Sequence, residues 1–508
     1  MAHTVLVLGD QLLPDHPALD GAERVVLVES EAMLRRRPLH RQRAHLVLSG
    51  MRRHAAALRA QGDVDVVEHR GTSSLAAALA GHDGEELVAA APNDLGARRA
   101  LQRLGVRLVD SGQFLTAPDE FARWADGRRR LRMEDFYREQ RRAFGVLVDD
   151  SGEPLGGRWN FDAENRERPP REGLHAPAPW APEEDDVDAG VRADLDALAA
   201  RGVVFFGDDA PRRYAVTPEE GAAVLEDFVA HRLPQFGPWQ DAMAGEDEPF
   251  LFHSLLSVPL NLGVLDPLTC VRAAEAAHHA GDAPLASVEG FVRQVLGWRE
   301  YVWGMYWLRA EQWPEANALG AHLPLPAAYR GAATGWNCLD TVVRGVARHG
   351  YAHHIERLMV LGTIGLTAGI EPWALVRWFQ TAFVDGAEWV MAPNAAGMAL
   401  FADGGEMVTK PYAAGGNYLS KMSGHCQGCR YKPSEKHGER ACPVTALYWD
   451  FVDTHAERLA ANNRTARAVS TWRRFDQETR DAVRERAIRA RAELDGGAEV
   501  PQPPRGAG

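Results

Sequence analysis

The stretch Thr4-Val5-Leu6-Val7-Leu8-Gly9 is a short apolar run near the start of the chain, and it predicts a buried β-strand. Four further runs of this kind follow before residue 111, and segments of helical periodicity separate most of them. Strands that alternate with helices form parallel sheets, so this region is predicted to be an α/β domain with a Rossmann-like parallel sheet of about five strands. The predicted strands are Thr4 to Gly9, Arg24 to Glu29, Val64 to His69, Glu86 to Ala90 and Val106 to Asp110, and the predicted helices are 41–61, 72–80 and 95–104.

The first strand ends in Gly9-Asp10-Gln11-Leu12. This turn lacks the glycine-rich phosphate loop of dinucleotide-binding domains, which argues against a nicotinamide cofactor. Open parallel sheets nevertheless bind ligands beyond the carboxyl ends of their strands. The sequence therefore leaves open the possibility that a different ligand binds at these strand ends.

The rest of the chain changes character twice. Residues 119–145 are rich in arginine and residues 151–182 in Gly and Pro, which indicates a long interdomain connection. From Thr217 onward helical periodicity dominates, and the tail after Asp495 has a composition typical of disorder. We therefore expect an α/β domain over 1–125, a connection over 126–215, a large all-α domain over 216–495 and a disordered tail over 496–508.

Size, composition and charge limit the possible classes of protein. A chain of 508 residues exceeds what one hydrophobic core supports, and 45% apolar with 25% charged residues excludes wholesale disorder. There is no apolar run long enough for a membrane span and no basic leader, so we expect a cytoplasmic protein with no membrane partner. The net charge of -13 argues against a uniformly basic nucleic-acid binder, although a local positive face is compatible with it.

Cysteine spacing gives the strongest local signal. Cys426, Cys429 and Cys442 form a C-x2-C-x12-C-P pattern, and Cys338 lies far upstream. Structural zinc sites usually show two close pairs, whereas a proline after the last cysteine is typical of many iron-sulfur sites, so an iron-sulfur cluster is favoured over zinc and zinc stays open. Cys270 stands alone on an apolar helix face and is expected to be a small buried hydrophobe.

Several polar and aromatic motifs have both a structural and a functional interpretation. The helix around Trp298 and Arg299 is either an aromatic core helix or the wall of a cofactor cavity, and periodicity alone favours the core. The adjacent His353 and His354 at a helix start are either satisfied polar residues or a tunable acid and base. Two further motifs have similar alternatives: His253-Ser254-Leu255-Leu256-Ser257 is a helix cap or a phosphate site, and the stretch from Asp385 to Asn394 offers acceptors and amides to a heterocycle edge.

Nearly the whole chain resembles the photolyase and cryptochrome superfamily, specifically the iron-sulfur bacterial cryptochrome-photolyase branch of prokaryotic (6-4) photolyases and deoxyribodipyrimidine photolyase-related proteins. The four cysteines contribute to the resemblance together with several longer motifs. These motifs are Leu8-Gly9-Asp10-Gln11-Leu12, Gly157-Arg158-Trp159-Asn160-Phe161-Asp162-Ala163-Glu164-Asn165, His253-Ser254-Leu255-Leu256-Ser257, Gly297-Trp298-Arg299-Glu300-Tyr301, Tyr351-Ala352-His353-His354, Phe401-Ala402-Asp403-Gly404-Gly405 and Lys410-Pro411-Tyr412-Ala413.

The resemblance implies three bound groups and the residues around each. FAD would lie in the helical domain, lined by His253, Ser254, Leu256, Ser257, Gln294, Trp298, Arg299, Asp385 and Asn394. The antenna 6,7-dimethyl-8-ribityllumazine would lie near Gly9, Asp10, Gln11 and Glu29. A mainly structural 4Fe-4S cluster would be held by Cys338, Cys426, Cys429 and Cys442, and the lesion would be faced by His353, His354, Tyr412 and Tyr418.

The resemblance also implies an activity: light-driven repair of (6-4) photoproducts in UV-damaged DNA by an electron from reduced FAD, with His354 as proton donor. Arginines and the four lysines would contact phosphates, and the protein would be a monomer. Three alternatives stay open: a blue-light photoreceptor of the same fold without repair activity, a primase-like cluster protein that binds nucleic acid, and a zinc-stabilised flavin protein.

The sequence departs from the family pattern in the electron route to the flavin. The family often has Trp-Tyr where this chain has Trp378-Phe379, and a Trp where this chain has Arg330. Phe is much harder to oxidise than Tyr or Trp. Photoreduction is therefore expected to depend on Trp378 and other indoles.

Overall fold

The N-terminal part of the computed structural model contains one sheet of five parallel strands in the order β3-β2-β1-β4-β5. The structure describes residues 3–82, 84–170, 172–246 and 248–496. The chain adds strands to one side of β1 and then to the other, as in doubly wound α/β folds, so the predicted fold class of this part is confirmed. The strands are β1 (His3–Val7), β2 (Ala22–Ser30), β3 (Asp65–Thr72), β4 (Leu87–Ala90) and β5 (Arg107–Val109).

The helices of this part also follow the sequence pattern. The helix predicted at 41–61 ends at Gly62, whose φ of 79° is a conformation that favours glycine, and it buries Leu46, Met51 and Leu58. The helix predicted from residue 95 starts after Asp94, whose side chain accepts a hydrogen bond from the Ala97 N–H. The helices are α1 (Glu31–Arg36), α2 (Arg41–Gln61), α3 (Leu75–Leu79) and α4 (Leu95–Arg103), and a 3₁₀ turn covers Ala80–His82.

The segment expected to connect the domains contains helices of its own. Its irregular stretch is attached to the body of the protein: Phe161 is buried, its N–H donates to the Glu289 carboxylate at 3.1 Å, and Trp159 packs under Arg141 and Arg142. This stretch is therefore not a free linker. The elements here are α5 (Pro118–Ala125), α6 (Met133–Phe144), a 3₁₀ turn (Leu155–Gly157) and α7 (Asp186–Ala200).

The C-terminal part is helical, as predicted. Its α-helices are α8 (Pro218–His231), α9 (Leu233–Trp239), α10 (Ser257–Leu262), α11 (Pro267–Ala280), α12 (Leu285–Val292), α13 (Glu300–Leu308), α14 (Asn337–His349), α15 (His354–Glu356), α16 (Thr363–Ala368), α17 (Pro372–Ala382), α18 (Glu388–Met391), α19 (Gly416–Met422), α20 (Pro443–Thr454), α21 (Ala456–Ala460), α22 (Ala466–Arg473) and α23 (Gln477–Leu494). Two 3₁₀ turns cover Trp313–Glu315 and Ala327–Arg330, and three π-helical segments cover Arg293–Arg299, Arg357–Gly362 and Ala392–Ala399.

The largest hydrophobic core lies within this helical part. Trp313, Trp336 and Tyr329 are fully buried there, and the Trp336 indole N–H donates to the Glu493 carboxylate of α23 at 2.7 Å. No helix among the described residues combines the length and apolarity needed to cross a bilayer. The tail expected to be disordered lies outside the described residues except for Gly496.

The sheet is joined to the helical part through one short loop after β5. The fully buried Glu300 carboxylate accepts hydrogen bonds from the N–H groups of Leu115 and Thr116 at 2.9 and 3.0 Å. The Gln113 amide of the same loop donates to the Asp10 carbonyl at 2.7 Å and to the Asn261 carbonyl at 3.3 Å. The carboxyl end of the sheet is thereby fixed against the helices that surround the cavity described below.

Candidate active site

A cavity of about 740 Å³ opens in the helical part, and it is the feature around which the predicted site residues gather. Every residue expected near the flavin or the lesion lines it. These residues are His253, Ser254, Leu256, Ser257, Gln294, Trp298, Arg299, His353, His354, Asp385, Asn394, Tyr412 and Tyr418. They come from separate stretches of the chain, and the fold brings them together around one cavity.

All three π-helical segments line this cavity. Gln294, Trp298 and Arg299 come from the first segment, Met359 from the second and Asn394 from the third. A π turn widens the helix by one residue, and such turns are frequent at functional sites. Here the widening brings the neighbours Trp298 and Arg299 to the same cavity, although an α-helical period would separate them.

The turn before α10 holds a strained residue beside the cavity. Leu255 has φ of 59°, a left-handed conformation that is rare for a residue with a side chain. The turn is anchored by the Arg232 guanidinium, which donates to the His253 carbonyl at 3.0 Å. It places His253, Ser254 and Ser257 on the cavity wall.

The residues of the cavity fit a large cofactor with polar edges. The volume lies within the range of small-molecule sites, and apolar side chains such as Leu256, Val295 and Met398 alternate with polar groups. Several buried polar atoms of the wall have no partner among the described residues, including Nε of Arg299, Nε2 of His253 and Oε1 of Gln240. Since buried polar atoms are nearly always hydrogen-bonded in native proteins, these atoms favour a bound polar ligand such as FAD.

Asp385 and Asn394 have defined partners within the protein. The Asp385 carboxylate accepts two hydrogen bonds from Arg357 at 3.0 and 3.2 Å, and Arg357 lies over the Phe383 ring. The Asn394 amide donates to the Val390 carbonyl at 2.8 Å, which leaves its oxygen for the cavity. Asp385 therefore presents a fixed negative charge, and Asn394 presents an acceptor.

Three histidines form a cluster at one side of the cavity. The rings of His253 and His353 are stacked, with centroids 4.6 Å apart and planes 13° apart, and His354 meets both edge-on. Burial lowers the pKa of both His253 and His353 well below the usual range, so both are neutral at pH 7. His354 differs, because its side chain is 45% exposed and lies 3.7 Å from the Asp241 carboxylate.

The histidine cluster is not arranged for a metal ion. Ligand nitrogens of the three rings lie within 4.8 Å of one another, a distance compatible with a shared ion. An imidazole, however, binds a metal in the plane of its ring, and one ion cannot lie in the planes of two stacked rings. The cluster is better suited to proton transfer than to coordination.

Tyr412 and Tyr418 lie on the same side of the cavity, and both remain protonated at neutral pH. Burial raises the pKa of Tyr412, and it raises the pKa of Tyr418 to about 12. Thr363 fixes the Tyr412 backbone by donating to its carbonyl at 3.0 Å. The two phenols are therefore neutral hydrogen-bond donors in the wall of the cavity that His354 also lines.

The aromatic residues considered for the electron route lie at the cavity wall and behind it. The ring of Phe379 lines the cavity, whereas its neighbour Trp378 packs behind it against Tyr329 and is absent from the lining. Sequence reasoning missed Trp389, which does line the cavity and meets Trp303 edge-on at 5.9 Å. Trp303 in turn meets the partly buried Trp307 at 5.5 Å, and Arg330 is exposed.

The four residues expected at the antenna lie near the carboxyl ends of β1 and β2, and the Gln11 amide donates to the Ala91 carbonyl at 2.8 Å. A Cβ on Gly9 would lie 2.6 Å from Val47, so glycine permits the close approach of α2. Glu29 is held by Arg52 through two hydrogen bonds of 2.8 Å. In contrast, burial and nearby Asp94 raise the pKa of Asp10 to about 6, and Oε1 of Gln11 has no partner among the described residues.

The four predicted cluster cysteines come together behind the histidines. Cys338 lies in the first turn of α14, Cys442 immediately precedes α20, and Cys426 and Cys429 lie in the loop between α19 and α20. Burial, and then the neighbouring cysteines, raise the pKa of Cys338 well above the usual range, and the pKa of Cys426 is raised to about 11. Such a buried set is stable as thiolates only around a cation.

The sulfur spacing distinguishes between kinds of metal site. Sulfurs bound to one zinc at 2.3 Å lie about 3.8 Å apart. Within the described ranges the histidine cluster is the only group of three or more ligands whose atoms all lie within 4.8 Å, so no three of these sulfurs are that close. The set is therefore too wide for a single zinc ion. Cys270 is fully buried in α11 away from the set, as predicted.

A groove of about 1,820 Å³ adjoins the cavity and shares Trp298 and Tyr412 with it. Eight arginines and four acidic residues line the groove, and no lysine does. Arg129, Arg130 and Arg132 are exposed and form no ion pair with any described residue. Of the four lysines expected to contact phosphates, Lys410 lines the adjoining cavity, and arginines supply the positive charge of the groove itself.

The chain is similar to known photolyases. Residues 5–212 match the model of the deoxyribodipyrimidine photo-lyase-related protein family. The (6-4) photolyase of Agrobacterium fabrum is 39% identical over 513 aligned residues, which cover 97% of this chain and 100% of that protein.

The fold has a solved counterpart as well. A bacterial class III photolyase from Agrobacterium tumefaciens, solved at 1.67 Å, has a TM-score of 0.55 at 16% identity, with 98% of both chains covered. At that identity the likeness concerns the fold alone. With 39% identity to a (6-4) photolyase maintained along nearly the whole of both sequences, the chain belongs to the photolyase-related protein family.

Proposed function

We propose that this protein is a DNA lyase that repairs pyrimidine (6-4) pyrimidone photoproducts in UV-damaged DNA in a light-driven reaction. The observation that supports this most is the convergence of thirteen residues from separate stretches on one cavity, with a half-exposed histidine and two neutral tyrosines on one side. The full-length similarity to the Agrobacterium (6-4) photolyase supports the same activity.

The covalent adduct is too stable for acid-base catalysis alone, so the reaction needs an electron donor. When bound, reduced FAD supplies an electron to the lesion after light absorption. Around it the chain contributes fixed charge and shape: Arg299 and the Arg357–Asp385 pair form part of the wall, and apolar side chains exclude water. The fully buried Glu300 carboxylate holds Arg299 at 2.7 Å, and the Asp385 carboxylate holds Arg357 at 3.0 Å.

The proton chemistry belongs to the histidines and tyrosines. His354 is the only one of the three clustered imidazoles with substantial exposure, so it is the one that reaches a flipped nucleotide and gives it a proton. The Asp241 carboxylate lies 3.7 Å from the His354 ring and is the acidic group next to it. Tyr412 and Tyr418 donate hydrogen bonds to the flipped base.

We propose that the arginine-lined groove binds the DNA backbone. It leads directly to the mouth of the cavity, and its unpaired guanidinium groups can contact phosphates without first breaking an ion pair. A lesion extruded from the duplex next to this groove would reach Tyr412 and His354.

The two further bound groups complete the proposal. The four cysteines would hold a 4Fe-4S cluster, supported by a sulfur spacing too wide for one zinc ion. The lumazine antenna would lie beyond β1, where Asp10 and Gln11 carry polar groups without full hydrogen bonding. The hydrogen bonds of Gln113 to the Asp10 and Asn261 carbonyls would fix the distance between this end of the sheet and the cavity, and excitation energy would pass between the two bound groups through space.

A repair assay tests the activity. The purified protein with reduced FAD is illuminated with blue light together with an oligonucleotide that carries one (6-4) lesion, and restored bases are measured by chromatography. We expect repair by the wild type, a loss of 10²- to 10⁴-fold in His354→Gln, as is typical for removal of a general acid, and no change in the exposed control His322→Gln.

Two outcomes of this assay would contradict the proposal. A wild type that binds reduced FAD but restores no bases would be a photoreceptor of the same fold. A protein that does not take up FAD at all would exclude both activities. Absorption spectra and metal analysis of the same sample report flavin, lumazine and iron separately.

A further inference from the structure

One positively charged side chain of the cavity wall differs from the others, because it has no acidic partner among the described residues. The wall contains four arginines and one lysine. Each arginine forms an ion pair with at least one carboxylate. The pairs are Arg166 with Asp162 and Asp241, Arg293 with Glu134 and Glu289, Arg299 with Glu300, and Arg357 with Asp385. Lys410 forms neither an ion pair nor a side-chain hydrogen bond within the part of the chain that the structure describes.

The surroundings of Lys410 favour a bound anion. The residue is partly buried and lines a cavity whose wall is rich in apolar side chains. An ammonium group that loses part of its hydration without gaining a partner is costly. An anionic group of a ligand would compensate for this loss, and it would not have to break an existing ion pair to do so. Lys410 is therefore a candidate contact for the negatively charged part of a substrate.

Lys410 lies where the cavity meets the arginine-lined groove. It belongs to a four-residue strip in which Thr409 lines the groove, Lys410 lines the cavity and Tyr412 lines both. The backbone of the strip is held at both ends. The Asn462 amide donates to the Thr409 carbonyl at 2.8 Å, and the Thr363 hydroxyl donates to the Tyr412 carbonyl at 3.0 Å. The strip thus fixes the lysine at the border that an extruded nucleotide would cross.

The chemistry of the lesion identifies the anion. A (6-4) photoproduct joins two adjacent pyrimidines of one strand by a covalent bond, so both nucleotides must leave the stack together. The phosphate that links them moves with them toward the cavity. An undamaged duplex keeps these bases stacked and leaves its phosphates in the groove. A cation at the border therefore meets a phosphate only when a lesion is extruded.

We propose that Lys410 binds the phosphate between the two nucleotides of the extruded lesion, and that this contact makes binding selective for damaged DNA. The proposal rests on the proposed function and divides its phosphate contacts into two kinds. The groove arginines bind the backbone of any duplex, whereas the Lys410 ammonium donates to the lesion's own phosphate after extrusion. The contact adds binding free energy to the damaged substrate alone.

The direct test is fluorescence anisotropy in the dark, with one duplex that carries a (6-4) lesion and one that is undamaged. Lys410→Gln should weaken binding of the lesion duplex about 10-fold, as expected for one lost hydrogen bond between charged groups, and leave the undamaged duplex unchanged. Lys410→Arg keeps the charge and should retain the selectivity. The control is Arg103→Gln, which removes one exposed charge outside the groove and the cavity and should leave the selectivity unchanged.

A second measurement changes the DNA instead of the protein. A neutral methylphosphonate replaces the phosphate between the two nucleotides of the lesion. The wild type should bind this duplex about 10-fold less tightly than the lesion duplex with its phosphate, whereas Lys410→Gln should bind both equally, because the partner of the phosphate is gone. A purely structural effect of the substitution would leave the sensitivity to the methylphosphonate in place.

Three results would overturn the proposal: unchanged lesion binding by Lys410→Gln, equal weakening for both duplexes, or a loss of FAD affinity with the selectivity intact. The last of these would assign the ammonium group to the cofactor. Failure of the proposed function looks different. A wild type that selects the lesion duplex through this phosphate but restores no bases under blue light would refute the repair activity and leave the phosphate contact in place.

Discussion

The unpaired arginines of the groove allow a quantitative test of DNA binding. In the triple variant Arg129→Gln, Arg130→Gln, Arg132→Gln, three exposed positive charges are removed without breaking any ion pair within the described residues. If each guanidinium contacts one phosphate of duplex DNA, the slope of log K against log salt should become less steep by about 3 × 0.9, which is about 2.7.

That slope difference is large enough to measure. Because the two slopes differ by about 2.7, raising the salt from 50 to 200 mM should weaken DNA binding by the wild type about 40-fold more than DNA binding by the variant. The assay is fluorescence anisotropy with a labelled duplex, one carrying a (6-4) lesion and one undamaged. Since phosphate contacts carry no base information, affinity for both duplexes should fall together and their ratio should stay constant.

The control replaces Arg36 and Arg103 with glutamine. Both are exposed arginines of the N-terminal domain and form no ion pair with any residue the structure describes, but neither lines the groove. An unchanged slope in the triple variant, or an equal change per charge in the control, would refute the assignment of the groove to the DNA backbone. A changed ratio between damaged and undamaged duplex would show that these arginines read the lesion rather than the backbone.

Four other predictions concern electron transfer, the cluster and stability. Trp389→Phe should slow photoreduction of bound FAD more than Trp378→Phe, because only Trp389 lines the cavity, and transient absorption compares the two rates. Cys338→Ser should lose the iron-sulfur absorption and iron content while the flavin spectrum is retained at low temperature. Asp188→Asn should lower the unfolding free energy in urea titration by less than the about 3–5 kcal/mol expected for an unpaired buried charge, since Arg212 loses its fully buried partner but keeps its ion pair with Glu220. Because the pKa of Glu356 is raised to about 8, the folded state binds more protons than the unfolded state above about pH 4.5 and stability falls as pH rises, so Glu356→Gln should raise Tm more at pH 8 than at pH 5.

The parts of the fold that depend on local pattern could be read from the sequence. The strands of the sheet are continuous apolar runs bounded by turn residues, and buried parallel strands require this pattern whatever surrounds them. The helix starting after Asp94 carries its own capping signal. The cysteine spacing likewise predicts that the cysteines lie close together in the fold, as ligands of one site must.

The features that sequence reasoning missed depend on contacts between distant segments or on deviations from helical period. The π turn over Arg293–Arg299 leaves no mark in the hydrophobic pattern, so periodicity assigned Trp298 to a core helix. Trp389 looks like any core aromatic until its neighbours are known. Glu356 and His425 are brought together only by the packing of the loop before Cys426 against α15, and no spacing rule relates them.

The cavity concentrates backbone features that are costly in an empty protein. Three π-helical segments and the positive φ of Leu255 border it, and buried polar atoms on His253 and Arg299 have no partner in the part of the chain that the structure describes. Each feature lowers stability unless something compensates for it. A ligand that satisfies those atoms binds only the folded state, and at 100 times its Kd it adds about 2.7 kcal/mol to the unfolding free energy. The geometry of the site is therefore best explained as that of a domain whose full stability depends on the group it holds.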